Sequence, residues 1–243
     1  MSQPVTLIAH RGLPARFPEN SLAGICAALE AGAKFVEVDI QFSKDQVPFI
    51  YHDENMLRMS NTDQSILQSP AEAIRKLSIY YPPTSPSPEK TETIATLEQL
   101  TELIAIWPDR YFFLELKRHS IQQHGVTACV QQILFSIENV SPSCIPISFD
   151  ARAVEEFQKH SDNRVGWVVR EWNNQHHKQA DSLAPDFLFC NVKKIPDDRS
   201  KLWQGPWQWV LYTVNDIQHL HQLQKEGFSL IETNEFDKLQ PRL

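Results

Sequence analysis

The amino-acid sequence predicts an α/β protein, and specifically a TIM (β/α)8 barrel. Short apolar runs with the length of buried strands alternate with amphipathic helical segments along most of the 243 residues. This alternation favours parallel strands joined by crossover helices, and eight such units in about 250 residues match a closed barrel. A doubly wound open sheet is the alternative, but no Gly-x-Gly-x-x-Gly motif follows the first strand.

The first third of the chain contains two barrel strands, one helix and an extra strand. Residues 5–9 form an apolar run that predicts the first strand. Residues 21–31 predict a helix, since Ser21 is a good N-cap and the apolar residues recur on one face. Residues 34–42 alternate as a strand does, and residues 47–51 predict an extra strand after a short turn.

Residues 54–92 interrupt the regular alternation. Residues 71–79 favour a short helix, whereas residues 80–88 are rich in proline. Proline fixes φ and removes a backbone donor, so the second segment predicts no regular structure. We therefore expect a small insertion after the second strand region, within a single domain of residues 1–243.

The remainder of the chain supplies six further strands and the helices between them. Apolar runs predict these strands at 111–116, 145–148, 164–169, 187–190, 208–213 and 228–232. Helical periodicity predicts helices at 97–106, 124–137, 151–159, 175–183 and 216–226, with a short tail helix at the end. The count of eight alternating strands is therefore complete without the extra one.

Composition limits the classes of partner and compartment. The net charge of −7 and the pI near 5.7 argue against a nucleic-acid or anionic-membrane surface. No apolar run approaches the roughly 20 residues that cross a bilayer, and the amino terminus lacks a basic leader. The four cysteines are far apart, as is typical of reduced thiols. We expect a cytoplasmic protein with a small-molecule substrate, no nucleic-acid partner and no stable membrane insertion, in an oligomeric state that the sequence leaves open.

The strand at 34–42 carries the strongest functional signal, because two acids interrupt its apolar character. Successive side chains of a strand point to opposite faces, so Glu37 and Asp39 share one face. Neighbouring carboxylates repel each other and lose hydration when buried. A hard divalent cation bound by oxygen ligands would offset that cost. A strand with one face in water is the alternative interpretation.

Other polar residues fall at predicted strand ends, where the active sites of (β/α)8 barrels lie. Glu115 adds a third carboxylate to an apolar strand, which completes an oxygen-rich site for Mg²⁺ or Ca²⁺. His10 and His52 can serve as acid and base near neutral pH. Arg11 and Lys117 add positive charge, which together with a metal suits an anionic phosphate.

Several short motifs resemble those of the glycerophosphodiester phosphodiesterase family. They are His10-Arg11-Gly12, Pro18-Glu19-Asn20-Ser21, Glu37-x-Asp39, His52-Asp53, Leu114-Glu115-Leu116-Lys117 and Tyr212-Thr213-Val214-Asn215. The resemblance implies a TIM barrel with a small insertion. It also implies metal-dependent hydrolysis of glycerophosphodiesters, such as glycerophosphocholine or glycerophosphoethanolamine, to sn-glycerol 3-phosphate and an alcohol.

The resemblance assigns a role to each motif position. The implied metal ligands are Glu37, Asp39 and Glu115, the acid/base pair is His10 and His52, and the substrate contacts are Arg11, Lys117 and Tyr212. Mg²⁺ or Ca²⁺ is the expected ion, with Mn²⁺ as an alternative. Two positions depart from the family pattern: this chain has Tyr212 where Trp is usual, and Asn234 after Thr233 where Asp is usual. These departures concern substrate preference more than the metal or the histidines.

Two other functions are compatible with the same motifs. A lysophospholipase D-type lipid phosphodiesterase would need an apolar lip or a membrane anchor, and the insertion offers only Ile79, Tyr80 and Tyr81. A non-catalytic phosphodiester-binding barrel would lack a histidine or an acid, and none of the expected set is missing. The sequence leaves open which histidine is the acid, whether water or the glycerol 2-hydroxyl attacks, and which alcohol is released.

Overall fold

The predicted barrel is confirmed: eight parallel strands close on themselves. The computed structural model describes residues 4–82 and 90–243. In chain order its strands are β1 (Thr6–His10), β2 (Phe35–Phe42), β3 (Pro48–Ile50), β4 (Ser78–Tyr80), β5 (Thr91–Thr93), β6 (Tyr111–Leu116), β7 (Cys144–Ser148), β8 (Gly166–Val169), β9 (Phe187–Asn191), β10 (Gln208–Tyr212) and β11 (Leu230–Thr233). The barrel uses all of them except β3, β4 and β5, and it closes because β1 pairs with both β2 and β11.

Helices surround the barrel. In chain order they are α1 (Leu22–Glu30), α2 (Leu57–Ser60), α3 (Ala71–Ile74), α4 (Leu97–Ile106), α5 (Arg118–His124), α6 (Val126–Ile137), α7 (Ala151–His160), α8 (Asn174–Leu183), α9 (Ile217–Lys225) and α10 (Phe236–Leu239). Ser21, Asp150, Asn173 and Asp216 each cap a helix by accepting a hydrogen bond from a backbone N–H of the first turn. Such caps satisfy donors that have no partner inside the helix. Across the described ranges, no helix has the length and apolar character needed to span a membrane.

Two helix predictions were only partly right. The segment 124–137 contains a break at Gly125, whose φ of +85° separates α5 from α6. Helix α5 was not predicted, and its Ser120 is bound to the end of β2. The Ser120 hydroxyl donates to Gln41 Oε1 and accepts from the backbone N–H of Phe42. These bonds join residues about 80 positions apart, so local periodicity carried no sign of them.

The segment after β3 also differs from its prediction. Helix α3 covers only the first part of residues 71–79, and the rest turns into β4. Strand β4 pairs antiparallel with β5, a partner that lies beyond the proline-rich residues and was therefore not recognisable locally. The expectation of irregular structure at 80–88 was wrong for Tyr80, which belongs to β4, and residues 83–89 lie outside the described residues. The segment packs on β3 around a small apolar cluster of its own, which includes Phe49 and Ile79.

The barrel wall separates two apolar layers. Alternate strand residues, such as Val36 and Val38 of β2, pack against the helices in the main core. The intervening residues face the barrel interior, where large side chains fill the space as they do in other barrels of this size. This interior cluster consists of Ile8, Phe35, Phe113, Ile145, Ile147, Val168, Phe187, Phe189, Val210 and Leu230. The residues that follow them on the same strand faces are polar, and these form the candidate site.

Candidate active site

Strand register places the acids next to one another at the carboxyl end of the barrel. Asp39 of β2 lies directly opposite Glu115 of β6. Glu37 of β2 lies opposite His10 of β1 on the other side. The predicted strands with acids are therefore neighbours in the barrel, and the expected convergence of three carboxylates occurs.

The three predicted metal ligands are buried and close together. Glu37 and Asp39 are 2% and 1% exposed, and Glu115 is 9% exposed. One carboxylate oxygen from each lies within 4.8 Å of the others, a spacing that a single ion could bridge. Both oxygens of Glu37 are buried without a hydrogen-bond partner, which is unfavourable unless another group satisfies them. The donor set fits a hard divalent cation, for which oxygen ligands are preferred.

Two cations lie against the carboxylates. Lys117 Nζ is 2.9 Å from Asp39 Oδ1 and 2.7 Å from Glu115 Oε1. Arg11 Nε is 2.9 Å from Asp39 Oδ2. Burial alone would raise the pKa of Asp39, but these two positive charges outweigh it and hold that pKa well below its usual range. Burial instead raises the pKa of Glu115 despite the nearby Lys117.

Glu37 differs from Asp39 because no cation contacts it directly. Burial raises the pKa of Glu37 well above its usual value, and the neighbouring Asp39 carboxylate adds to this effect. The two acids of the same strand face thus have opposite protonation tendencies in the absence of a metal. A divalent ion would favour the charged form of Glu37.

His10 is held by a single hydrogen bond on one ring nitrogen. Its Nδ1 lies 2.6 Å from the side-chain oxygen of Asn234, so that nitrogen carries the proton. Its Nε2 therefore bears the lone pair and faces Glu37 Oε2 at 3.7 Å. Burial lowers the pKa of His10 to about 4, and the nearby Arg11 acts in the same direction. The ring is neutral near pH 7 and can accept a proton at Nε2.

His52 approaches the site from the extra strand region and is anchored differently. Its Nδ1 lies 2.6 Å from Asp53 Oδ1. The second oxygen of Asp53 accepts a hydrogen bond from Arg58 Nε at 2.6 Å. Burial raises the pKa of Asp53, but the bonds to Arg58 and His52 outweigh it, so the carboxylate has a lowered pKa. This arrangement leaves Nε2 of His52 free to exchange a proton.

The cavity between the histidines has a volume of about 250 Å³. Seven of the eight predicted site residues line it: His10, Arg11, Glu37, His52, Glu115, Lys117 and Tyr212. The eighth, Asp39, is bound to Arg11 and Lys117 at its edge. Burial raises the pKa of Tyr212, so its phenol stays neutral and can donate a hydrogen bond.

The sequence model of the glycerophosphoryl diester phosphodiesterase family matches residues 10–238. The chain belongs to this family. That membership confirms the predicted enzyme class, a phosphoric diester hydrolase with glycerophosphodiester phosphodiesterase activity. The family generally depends on a divalent metal ion, and the acidic residues described above could hold one.

Named relatives are similar to this chain at moderate identity. A glycerophosphodiester phosphodiesterase of Caldanaerobacter subterraneus subsp. tengcongensis is 26% identical over 226 residues, which cover 88% of each protein. Glycerophosphodiester phosphodiesterase 1 of Rattus norvegicus is 34% identical over 175 residues, covering 71% of this chain. The chain spans only 51% to 59% of the length of the proteins with that name from rat, cattle and human.

Solved structures of family members have the same fold. A phosphodiesterase of Oleispira antarctica, in complex with the product sn-glycerol-3-phosphate, gives a TM-score of 0.85 at 22% identity and covers 97% of this chain and 95% of its own. A candidate glycerophosphoryl diester phosphodiesterase from Silicibacter pomeroyi also gives 0.85, at 18% identity, and covers 98% of this chain and 92% of its own. This similarity supports the barrel architecture alone.

The site of this family member contains residues that were not predicted. Glu232 of β11 is 3% exposed and lines the same cavity. Burial and the nearby Glu115 raise the pKa of Glu232 to about 8. An acid inside the apolar run Leu230-Ile231-Glu232 is the same signal that identified Glu115, so this residue was recognisable from the sequence.

Arg58 had no comparable sequence signal. It lies in the short helix α2 after β3, and its guanidinium joins Asp53 to Glu19, with Nη2 2.5 Å from Glu19 Oε1. Glu19 also contacts Arg11 Nη1 at 3.1 Å. A chain of ion pairs therefore runs from His52 to Asp39, and it couples the two sides of the cavity.

Proposed function

We propose that the protein hydrolyses glycerophosphodiesters, such as glycerophosphocholine or glycerophosphoethanolamine, to sn-glycerol 3-phosphate and an alcohol. One observation carries the proposal: His10, His52, Glu37 and Glu115 line a single cavity at the carboxyl end of the barrel, and a carboxylate oxygen of Asp39 lies within 4.8 Å of those of the two glutamates. A positively charged pair, Arg11 and Lys117, lies in the same cavity. The relatives named above support the substrate class.

Glu37, Asp39 and Glu115 would hold the divalent ion. Mg²⁺ or Ca²⁺ suits three carboxylates, with Mn²⁺ as an alternative. The unpartnered oxygens of Glu37 support this assignment, because a bound cation would satisfy them. When bound, the ion supplies charge neutralisation for the phosphoryl oxygens and lowers the pKa of a coordinated hydroxyl or water.

We assign the base role to His10. Its Nδ1–H donates to Asn234, so the lone pair of Nε2 points to the cavity. Its lowered pKa keeps the ring neutral, as a proton acceptor must be at the start of the reaction. The proton would come from the attacking oxygen, which is water or the glycerol 2-hydroxyl.

We assign the acid role to His52. Its Nε2 would deliver a proton to the leaving alkoxide. Asp53 would accept a hydrogen bond from Nδ1–H and so keep the ring in one orientation. Arg11 and Lys117 would contact the phosphate and stabilise the charge that develops in the transition state. Tyr212 would donate a hydrogen bond to the substrate at the cavity wall.

The remaining expectations about the whole protein are proposals as well. We propose that residues 1–243 act as one catalytic domain in the cytoplasm, with a small-molecule substrate and without a nucleic-acid partner or stable membrane insertion. The net charge of −7 supports this, as do the four cysteines, all of which are free and three of which are buried.

The decisive experiment measures release of glycerol 3-phosphate from glycerophosphocholine with a coupled dehydrogenase. Mg²⁺, Ca²⁺, Mn²⁺ and EDTA are compared, and His10→Ala and His52→Ala serve as variants. We expect metal-dependent release that both variants lose. Release from lysophospholipids but from no glycerophosphodiester would replace the proposal with the lipid hydrolase. Metal binding without hydrolysis of either class would point to a binding protein.

A further inference from the structure

Glu37 belongs to two groups of potential ligands. Besides the three-carboxylate group, His10, Glu37 and Glu232 each offer an atom within 4.8 Å of the other two. The two groups occupy opposite sides of Glu37 around the barrel wall. His10 and Glu232 come from β1 and β11, whereas Glu115 comes from β6.

Two observations indicate that this second group is prepared for a ligand. Both oxygens of Glu37 are buried without a hydrogen-bond partner, and Oε2 lies 3.7 Å from Nε2 of His10. His10 donates through Nδ1 to Asn234, which is the arrangement that fixes a metal-ligating histidine with its Nε2 lone pair free. All three residues line the cavity, so an ion could reach them.

We propose that His10, Glu37 and Glu232 form a second cation site that takes Zn²⁺. Zn²⁺ binds both imidazole nitrogen and carboxylate oxygen, and three protein ligands with a fourth position open to water suit its tetrahedral geometry. Mg²⁺ and Ca²⁺ prefer oxygen alone and belong at the three-carboxylate group. Zn²⁺ can therefore occupy both groups when it is the sole divalent ion, whereas Mg²⁺ and Ca²⁺ compete with it only for the three-carboxylate group.

Occupation of the second site has a consequence for catalysis, which rests on the function proposed above. A Zn²⁺ ion at Nε2 takes the lone pair with which His10 would accept a proton. Zn²⁺ would therefore inhibit the Mg²⁺-dependent reaction. Since a general base contributes about 10²–10⁴-fold to the rate, saturation of this site should remove at least about 10²-fold.

The binding test uses metal-stripped protein and ZnCl₂ in equilibrium dialysis, without substrate. We expect two Zn²⁺ per chain in the wild type, and one in Glu232→Gln and in Glu115→Gln, which each remove one site. Glu102→Gln is the matched control, because Glu102 is exposed on α4, and it should bind two. Unchanged binding of two ions by Glu232→Gln would overturn the proposal.

X-ray absorption at the zinc edge distinguishes the sites by their ligands. The ion retained by Glu115→Gln should show imidazole scattering, and the ion retained by Glu232→Gln should not. The absence of imidazole in Glu115→Gln would contradict the assignment. If Glu232→Gln does not fold, anomalous diffraction from wild-type crystals with Zn²⁺ decides: a peak in contact with His10 and Glu232 supports the site, and no peak there refutes it.

Inhibition is measured as the ratio of rates with and without Zn²⁺ at saturating Mg²⁺, for each protein against its own rate. We expect strong inhibition of wild type and Glu102→Gln, and inhibition weakened at least tenfold in Glu232→Gln. Equal inhibition of Glu232→Gln would overturn the second site as its cause. If the protein hydrolyses no phosphodiester, the Zn²⁺ counts still test the site, so failure of the proposed function and failure of the site are distinguishable.

Discussion

The interior of the barrel has two layers that are built by the same strand faces yet differ in chemistry. The aromatic layer consists of Phe35, Phe113, Phe187 and Phe189, and the acidic layer consists of Glu37, Glu115 and Glu232. On β2 and β6 the acid stands two residues after the phenylalanine, which is one repeat of the strand. Two residues along a strand therefore separate a side chain whose burial stabilises the fold from one whose burial destabilises it.

The difference between the layers shows how the fold supports its site. In the aromatic layer the rings of Phe113 and Phe189 meet edge to face at 5.0 Å, and burial of each such side chain contributes about 1.5–3 kcal/mol. In the acidic layer burial raises the pKa values of all three carboxylates, including that of Glu115 beside Lys117. Buried groups that oppose stability are expected where function requires them.

The largest expected effect is a loss of activity, without a loss of stability, on substitution of an acid in the acidic layer. Glu37→Gln should lose the divalent ion and lower kcat by about 10³-fold or more, because charge stabilisation at the phosphate depends on that ion. Its melting temperature without metal should equal or exceed that of the wild type, since a buried unpartnered carboxylate is removed. Metal titrations and thermal unfolding measure the two effects, and full activity at limiting metal would remove Glu37 from the ligand set.

The converse change breaks the aromatic layer. Phe113→Ala should lower the free energy of unfolding by about 3–5 kcal/mol, because Phe113 is fully buried and the cavity left behind cannot collapse completely. Denaturant unfolding measures this loss. Phe135→Ala is the control, as Phe135 is 73% exposed and should change stability by less than about 0.5 kcal/mol. Similar losses of unfolding free energy for both variants would show that the aromatic layer does not contribute more to stability than an exposed side chain does.

A smaller effect is expected at the hydrogen bond between His10, beside the acidic layer, and Asn234. Asn234→Ala removes the acceptor for Nδ1–H of His10, so the ring can adopt the wrong tautomer. We expect kcat to fall about 10–100-fold, as for other groups that orient a catalytic ring, with Mg²⁺ affinity unchanged. Asn234→Asp keeps an acceptor and should retain activity within a few-fold of wild type. A decrease in Asn234→Asp as large as that in Asn234→Ala would contradict this positioning role.

The acidic layer should also make stability depend on pH. The pKa of Glu232 is about 8 in the folded protein and 4.5 is the ordinary value, so the folded state binds the extra proton between these values. The stability that this proton supplies is complete below pH 4.5 and is lost as the pH rises through 8. Metal-free wild type should therefore lose melting temperature between about pH 5 and 8, and Glu232→Gln should lose less. Parallel curves would rule out Glu232 as the source.

Much of the site was predictable because strand alternation is a local property. The acids at Glu37, Asp39 and Glu115 stand out against apolar neighbours, and the carboxyl ends of barrel strands meet at one rim. Arg58 was not recognised, and the departure at Asn234 was wrongly related to substrate preference rather than to His10, which it binds. Both roles depend on partners far along the chain. The bond from His10 to Asn234 spans 224 residues, and that from Arg58 to Glu19 spans 39.

By itself the sequence determined the eight-strand alternation, the strand faces that carry acids and the family motifs that indicate phosphodiester chemistry. The alternation and the strand faces follow from periodicities of two and 3.6 residues, which short segments express on their own, whereas the motifs indicate the chemistry through their resemblance to the family. Only the tertiary structure decided which acids meet. Closure of the barrel places β11 beside β1, and this brings Glu232 next to His10 and Glu37. Contacts of that kind depend on the register between distant strands, which no local segment contains.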